Sequence, residues 1–475
     1  MGSTRNREHA VVLGAGMAGL LAARVLSDSY DSVSLVERDW MPGRPGDRKG
    51  VPQGRHVHNF LSRGLHVLAE LFPGLIKELA AAGAVVVDDG DLSHVYARIG
   101  RYEMKRSGKM ADPSLLTMCL ASRPFIEFHV RRRVRALPNV TLLDGHDALE
   151  PVATADVVTG VRVVKRNTGF ESRLDADLVV DAMGRASRTP AVLESLGYGS
   201  PTEHRAAAKL SYCSQRLKIP KGHIHEQLAM LSPGGGRGRG LLVAGEHDTW
   251  MLAVGQSGEI GHPPTDFAAM LAMIEPLLPA SIVAGLRTAQ PLGETVTYHH
   301  TAAVWRRYDR MPRFPSGLLV VGDALCYLDP TYGQGMTMAA LEALTLRDCL
   351  ESDDGQLAQR FFSAAAQDIG SAWSGNKARD RADSPTRGRR SARQRLQAWL
   401  VMATMNAAAH DIALTERLYR ITNLIDPPSR LKDPGVLPRI AAVNAQVLFE
   451  QFRNRARTAF VGGKWQALAD AGQRG

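Results

Sequence analysis

A mixed α/β fold is what the sequence predicts: a parallel sheet, a β-rich insertion and a helical C-terminal part. Three observations carry this. A short β-type run, His9–Leu13, meets a glycine turn, a helical stretch over 20–26 and a second apolar run, Ser32–Val36. Between 211 and 254 the texture changes. Apolar runs at 241–244 and 250–254 flank a short polar link that starts at Gly245, the pattern of antiparallel strands. Beyond about residue 350 the apolar residues recur at helical spacing.

The remaining elements follow in chain order. Val57, Leu61, Leu65, Leu68 and Phe72 repeat at intervals of three and four and predict an amphipathic helix over 56–72. A second helix is expected over 125–137, ending before Pro138. Runs at 140–143 and 178–180 read as strands returning to the first sheet, and 318–321 as another buried strand leading to a helix over 336–350. The 396–425 stretch carries Leu396, Trp399, Leu400, Met405, Ile412, Leu418, Ile421 and Ile425 and reads as helical.

At 475 residues, 44% hydrophobic and 22% charged, the chain has a globular composition and room for two or three domains. It holds no run of about 18 apolar residues, so no stable membrane insertion is expected. The polar N-terminus has no signal-peptide core. Cys119, Cys213, Cys326 and Cys349 show no CxxC spacing; free thiols, no metal site and a cytoplasmic location are the expectation. The formal charge is +10, and much of it is local. Residues 376–397 hold eight Lys/Arg against Asp380 and Asp383. A solvated basic connector is the plain reading, and an anionic partner or membrane surface the alternative. The rest is only mildly basic, which argues against a nucleic-acid-binding face.

Gly14-Ala15-Gly16-Met17-Ala18-Gly19 matches GxGxxG between a strand and a helix, and Glu37, followed by Arg38, ends the next strand. Gly14 permits the tight turn, Gly16 lets the backbone approach a pyrophosphate, and Gly19 lets the helix close on the strand. The helix start supplies amides and positive potential to phosphates, and Glu37 can accept from ribose hydroxyls. Two further strand ends carry polar motifs: Asp181 with Gly184, and Gly322-Asp323 followed by Pro330, Gly333, Gly335 and Met336. An acid at a strand's carboxyl end can bind a polyol such as a flavin's ribityl chain. Amides at a helix start can stabilise negative charge on the N1–C2 edge of a reduced flavin.

These motifs, in this order over residues 9–350, resemble the flavin monooxygenases related to p-hydroxybenzoate hydroxylase. The resemblance implies a glutathione-reductase-type (Rossmann-like) FAD domain, FAD as cofactor and C4a-hydroperoxyflavin chemistry. It places Arg123 among the FAD contacts. With the β-type texture over 211–254 and the helical spacing beyond 350, it gives 1–85, 113–200 and 298–352 as the FAD domain, 86–112 and 201–297 as a β-rich substrate domain, and 353–475 as a helical C-terminal region. Ala182 and Met183 separate Asp181 from Gly184, where family members often read Asp-Gly, and Met336 is a second departure. No second GxGxxG follows a strand, so NAD(P)H is expected as reductant, docking directly or acting through a flavin reductase. The segment Arg48-Lys49-Gly50-Val51-Pro52-Gln53-Gly54-Arg55-His56, with His58, is similar to the bacterial polyether epoxidases of the lasalocid and monensin type, as is the stretch from Pro330 to Met336. Arg48, Lys49, Arg55 and His56 thereby join the cofactor-site candidates. The expected activity is insertion of one oxygen atom, with epoxidation of an alkene in a large apolar polyketide or terpenoid first and aromatic hydroxylation second. A prenyl-chain reductase and a non-enzymatic flavin scaffold are the readings from other classes. No side chain is named as catalytic, because the chemistry would reside in the flavin.

Overall fold

The structure, a computed structural model, describes residues 7–233, 238–257, 263–352, 356–383 and 392–472. Its centre is a five-stranded parallel sheet in the order Leu318–Val320, Leu178–Asp181, His9–Leu13, Ser32–Val36 and Val140–Leu143. The strands are near-continuous apolar runs because both faces are covered. On one side of His9–Leu13 the chain passes to Ser32–Val36, and on the other it returns much later as Leu178–Asp181. That reversal opens a crevice at the carboxyl ends of the strands.

Helix Met17–Leu26 follows the glycine turn and packs on helix Gly335–Leu350. Two glycines are required by the backbone here. Gly14 sits at φ +98, and a Cβ on it would lie 2.7 Å from the Ala182 carbonyl oxygen. A Cβ on Gly19 would fall 1.8 Å from the Gly14 carbonyl oxygen, so the helix closes on the turn only with glycine there.

A second sheet has eight strands, ordered Cys326–Tyr327, Gln290–Arg306, Glu203–Lys218, Thr249–Ser257, Arg239–Ala244, Leu228–Ser232, Val95–Ile99 and Tyr102–Glu103. Its two longest strands, of 16 and 17 residues, pair antiparallel. Helices Phe267–Ile274 and Ala280–Arg287 cover one face through Met270, Ile274, Ile282 and Leu286, packed with Leu217, Leu252 and Val254. The sheets meet where the chain leaves the parallel sheet at Val320 and enters the large one at Cys326, opposite Trp305. The C-terminal helices Ala392–Ala408, Ile412–Thr422 and Val436–Gly472 pack through Ala407, Leu414, Leu418 and Ile440 against Ala97 and Met104, at the far end of the large sheet.

Most expected elements are present, and the strands expected to return to the first sheet, at 140–143 and 178–180, do so. Four details differ. The helix expected over 56–72 begins at Ser62. Pro52 opens a 3-10 turn, Pro52–Arg55, and His56 and Leu61 are extended. Val57 matched the helical period by coincidence; it packs into the large-sheet core instead. The 396–425 stretch is two helices, broken where the Asp411 side chain caps the second by accepting from Leu414 N–H. Of the basic segment 376–397, residues 376–383 continue helix Leu357–Asp383 and 392–397 begin the next; 384–391 lie outside the described residues. Its start is docked, with Asn376 buried and its Nδ2 donating to Gln334 Oε1 at 2.9 Å. The three-stranded sheet of His146–Thr154, Val157–Lys165 and Phe170–Asp175 had no counterpart in the sequence reading. The four cysteines are buried and unpaired. No helix among the described residues is long and apolar enough to cross a membrane.

Candidate active site

The strand registers align Leu13 with Val36 and with Asp181, and Asp181 with Val320. The residues that follow, Gly14, Glu37, Ala182 to Gly184, and Gly322-Asp323, therefore share the carboxyl edge of one sheet. Glu37 is buried. Its Oε2 accepts from Ala15 N–H and its Oε1 from Asp39 N–H, each at 2.9 Å. Behind it stands Arg48, also buried, with Nη1 3.2 Å from Glu37 and Nη2 2.6 Å from Glu127. Arg48 Nη2 also donates to the Ala15 carbonyl at 3.2 Å, so this arginine braces the glycine turn from inside. Arg123 lies at the same carboxylate, its Nε 3.5 Å from Glu127, with Nη1 3.4 Å from His58 Nε2. Pro124 at the first helical turn and Ser122 as cap fix the start of helix Arg123–Arg135.

Asp181 does not face the crevice. Its carboxylate is consumed by its own turn, accepting from Met183 N–H at 2.9 Å and from the Ser187 and Thr189 hydroxyls at 2.5 Å each. Burial raises its pKa above the usual range, and those hydrogen bonds oppose the shift. The next position of interest, Gly184, has φ +64 and lies against Asp323, whose Cβ is 3.8 Å from where a Gly184 Cβ would be. Asp323 is half-buried and its pKa is likewise raised by burial, with Arg123 and Arg185 pulling it down.

Glu342 is a buried carboxyl that the sequence reading missed. It accepts the Gly322 N–H at 2.6 Å and so holds the Gly322-Asp323 turn. Burial pushes it up to about 8; the Gly322 amide opposes this, and Asp323 and Asp368 add to it. As pH rises from 4.5, the unfolded glutamate ionises while the folded one stays protonated. Stability from this group is therefore lost between pH 4.5 and about 8. Glu342→Gln, which keeps an acceptor oxygen, is expected to flatten that slope. Thermal melting at about pH 5 and about pH 8 measures it; an unchanged difference between the two pH values would rule the group out.

A polar aromatic cluster lies where the two sheets meet. His56 is 4% exposed, and its Nδ1 pairs with Ser214 Oγ at 2.9 Å. Its ring stands edge-on to Tyr212 and Tyr298, centroids 5.1 and 5.5 Å away. Burial, aided by the nearby Arg55 charge, lowers His56 to about 4, so the imidazole is neutral near pH 7. Tyr298 and Tyr327 share a 2.7 Å hydroxyl hydrogen bond, and Arg185 Nη1 donates to Tyr298 Oη at 2.9 Å. Burial raises the pKa of Tyr212 and Tyr327, so both phenols stay neutral. Beside them is a cavity of about 190 Å³ whose lining includes Arg185, Arg205, His299, Arg306, Asp323 and Tyr327.

Of the other residues singled out from sequence, Arg38, Lys49 and Arg55 are exposed, and Arg38 and Arg55 reach only Asp147 and Asp47, at 3.5 and 3.6 Å. Met17 and Met336 are core residues, while Ala18 packs against Gly322. Pro330 opens the 3-10 turn Pro330–Tyr332, which ends at Gly333 with φ +62. Among the described residues, Asp89, Asp91 and His94 form a group with metal-ligand spacing; Asp89 is exposed, and Asp91 accepts its own turn's Ser93 N–H. Ser214, Tyr212 and Tyr298 were legible only as strand residues, since the pairing that brings them to His56 spans more than 150 positions.

The fold and its strand-end motifs define a flavoenzyme. The chain belongs to the FAD binding domain family, which matches residues 7–352, and its cofactor is FAD. It is 34% identical over 466 residues to Protein Rv3254 of Mycobacterium tuberculosis, covering 94% of this chain and 96% of that protein. It is 27% identical over 391 residues to kynurenine 3-monooxygenase of Salinispora arenicola, covering 76% and 77%. Its fold is similar to that of p-nitrophenol 4-monooxygenase from Pseudomonas putida, with a TM-score of 0.63, 16% identity, and coverage of 88% of this chain and 98% of that one. The crevice fits such a cofactor. A Cβ at Gly16, Gly333 or Gly335 would meet nothing within 4 Å, so bare backbone lines open space at both helix starts.

Proposed function

We propose that this flavoenzyme is a monooxygenase that inserts one oxygen atom into an aromatic small molecule, with NAD(P)H as reductant. The observation that carries this reading is the buried neutral imidazole of His56, held by Ser214 beside a wall of tyrosines next to Asp323. The relatedness to kynurenine 3-monooxygenase supports it.

The Gly14 to Gly19 turn, with Met17 and Ala18, would take the pyrophosphate on the amides of the helix start. Glu37 would accept from the ribose, with Arg48 and Arg123 charging that side. Asp323 and Gly184 would meet the ribityl chain, and the Pro330, Gly333 and Gly335 turn the flavin ring. When bound, FAD supplies the activation of dioxygen. His56 can take a proton from a substrate hydroxyl, since Nε2 is left when Ser214 holds Nδ1. Arg185, Tyr298 and Tyr327 form a connected donor chain that orients a polar substituent. The large sheet closes the site against water.

Two expected results test these roles. Glu37→Ala is expected to weaken FAD binding by about 1–3 kcal/mol, read by fluorescence titration; unchanged affinity would remove Glu37 from the site. His56→Gln is expected to lower turnover by about 10²-fold or more with FAD content unchanged. Because His56 is held near 4, the acid limb of wild-type kcat/KM is expected near that pH and not at 6.5; full activity in the variant would refute the role.

A second reading, epoxidation of an alkene in a large apolar chain, keeps the likeness of Arg48 to His56 to the polyether epoxidases. Its apolar tunnel finds less support, because Leu396, Trp399 and Leu400 are exposed. Turnover under oxygen-18 gas with NAD(P)H, with and without an added flavin reductase, and a panel of phenols, anilines and polyenes, decides between them. One labelled atom on a ring supports hydroxylation. A labelled epoxide or diol with untouched rings supports epoxidation. A product heavier by two hydrogens overturns both in favour of a prenyl-chain reductase.

A further inference from the structure

The C-terminal helices are left unexplained by the flavin site, and the end of the basic segment, residues 392–397, opens the first of them. Fourteen large hydrophobic side chains are exposed among the described residues, and nine of them lie on helices Ala392–Ala408 and Val436–Gly472. Apolar exposure is thus concentrated in one region, beyond the scattered exposure normal for a surface. The two helices pack side by side, with Asn406 Nδ2 donating to Asn444 Oδ1 at 2.8 Å and Asn444 Nδ2 to the Ala403 carbonyl at 2.9 Å. Arg439 meets Asp411 further on, so the pairing is antiparallel. Moving back from Asn406 toward Leu396 therefore corresponds to moving forward from Asn444 toward Phe452. Leu396 and Trp399, 57% and 58% exposed, fall at the same end as Leu448, Phe449 and Phe452, exposed by 66%, 66% and 74%.

That apolar end is flanked by cations on both helices. Arg395, exposed, directly precedes Leu396, and the sequence 384–395 holds no acid. Arg453, exposed, directly follows Phe452, and the sequence 453–464 holds no acid. We infer that this helix pair docks the enzyme on an anionic lipid surface, with Trp399, Phe449 and Phe452 entering the headgroup layer and the arginines meeting lipid phosphates. Apolar and aromatic residues beside a basic rim suit that interface. A second copy of the chain fits worse, because a self-complementary contact would set one arginine cluster against its equal. Docking is peripheral, since no described helix is long and apolar enough to span a bilayer. The inference is independent of which substrate the flavin site takes.

The test is co-sedimentation of the full-length FAD-loaded protein with vesicles of phosphatidylcholine alone or mixed with phosphatidylglycerol. Binding to the mixed vesicles is expected, weakened by salt and lost in a Trp399→Glu, Phe449→Glu, Phe452→Glu variant that retains flavin absorbance. An Arg395→Gln, Arg453→Gln variant, which leaves the apolar residues intact, is expected to bind the mixed vesicles less tightly. No binding by the wild type, or binding by either variant equal to that of the wild type, overturns the inference. So does a dimer in sedimentation velocity that the first variant dissociates, which would make the face a subunit interface.

Discussion

Gly335→Val is expected to yield a folded protein that no longer retains FAD. A Cβ at Gly335 meets no atom of the chain within 4 Å, so the side chain costs the apoprotein little. The same open space is where the flavin ring would lie, and a β-branched side chain there blocks approach to the helix start. FAD affinity is expected to fall by about 100-fold or more, roughly 3 kcal/mol, with the melting transition of the apoprotein in place. Gly16, equally open at the other helix start, serves as a parallel probe, and Gly19 as a contrast. Even alanine at Gly19 collides with the Gly14 carbonyl, so that variant is expected to lose the fold along with the flavin. Normal flavin absorbance and affinity in Gly335→Val would show that the cofactor does not approach this turn.

Arg48→Met is expected to destabilise the apoprotein by about 3–5 kcal/mol, because it removes the buried cation between Glu37 and Glu127 and leaves Glu127 the more distant Arg123 at 3.5 Å. Chemical denaturation of apo wild type and variant measures the loss. A variant as stable as wild type would show that Arg48 does not brace the glycine turn.

The glycine turn was readable from sequence because it is local. A strand, a turn that only glycine can make, a helix and an acid 18 positions on are all close along the chain. Arg48, Glu127 and Glu342 were not assigned their parts because those parts arise from burial. Arg48 read as a residue of a basic loop at the cofactor, and only burial shows it bracing the glycine turn from behind; Glu342 is one of several acids in a helical stretch with nothing to mark it. Asp181 looked like Asp323, an acid at a strand end. Two hydroxyls eight positions or fewer downstream turn it inward, a distinction that rests on side-chain direction and not on residue type. The Ser214 and His56 pair needed the large sheet to be in register first.

The strand that closes the FAD sheet, Leu318–Val320, comes roughly three hundred positions after the first, and helix Gly335–Leu350 later still. During synthesis the N-terminal glycine turn therefore emerges long before its partners. Until residue 320 has left the ribosome, the Leu178–Asp181 strand must wait with an unpaired edge while most of the large sheet is made after it. Non-local pairing of this kind folds slowly and exposes sticky intermediates. Supply of FAD to the growing chain cannot rescue them, since half the pocket is not yet made. Yield of the active protein is accordingly governed by how long that edge is shielded, by chaperones or by slow growth in the cold, more than by the final stability of the fold.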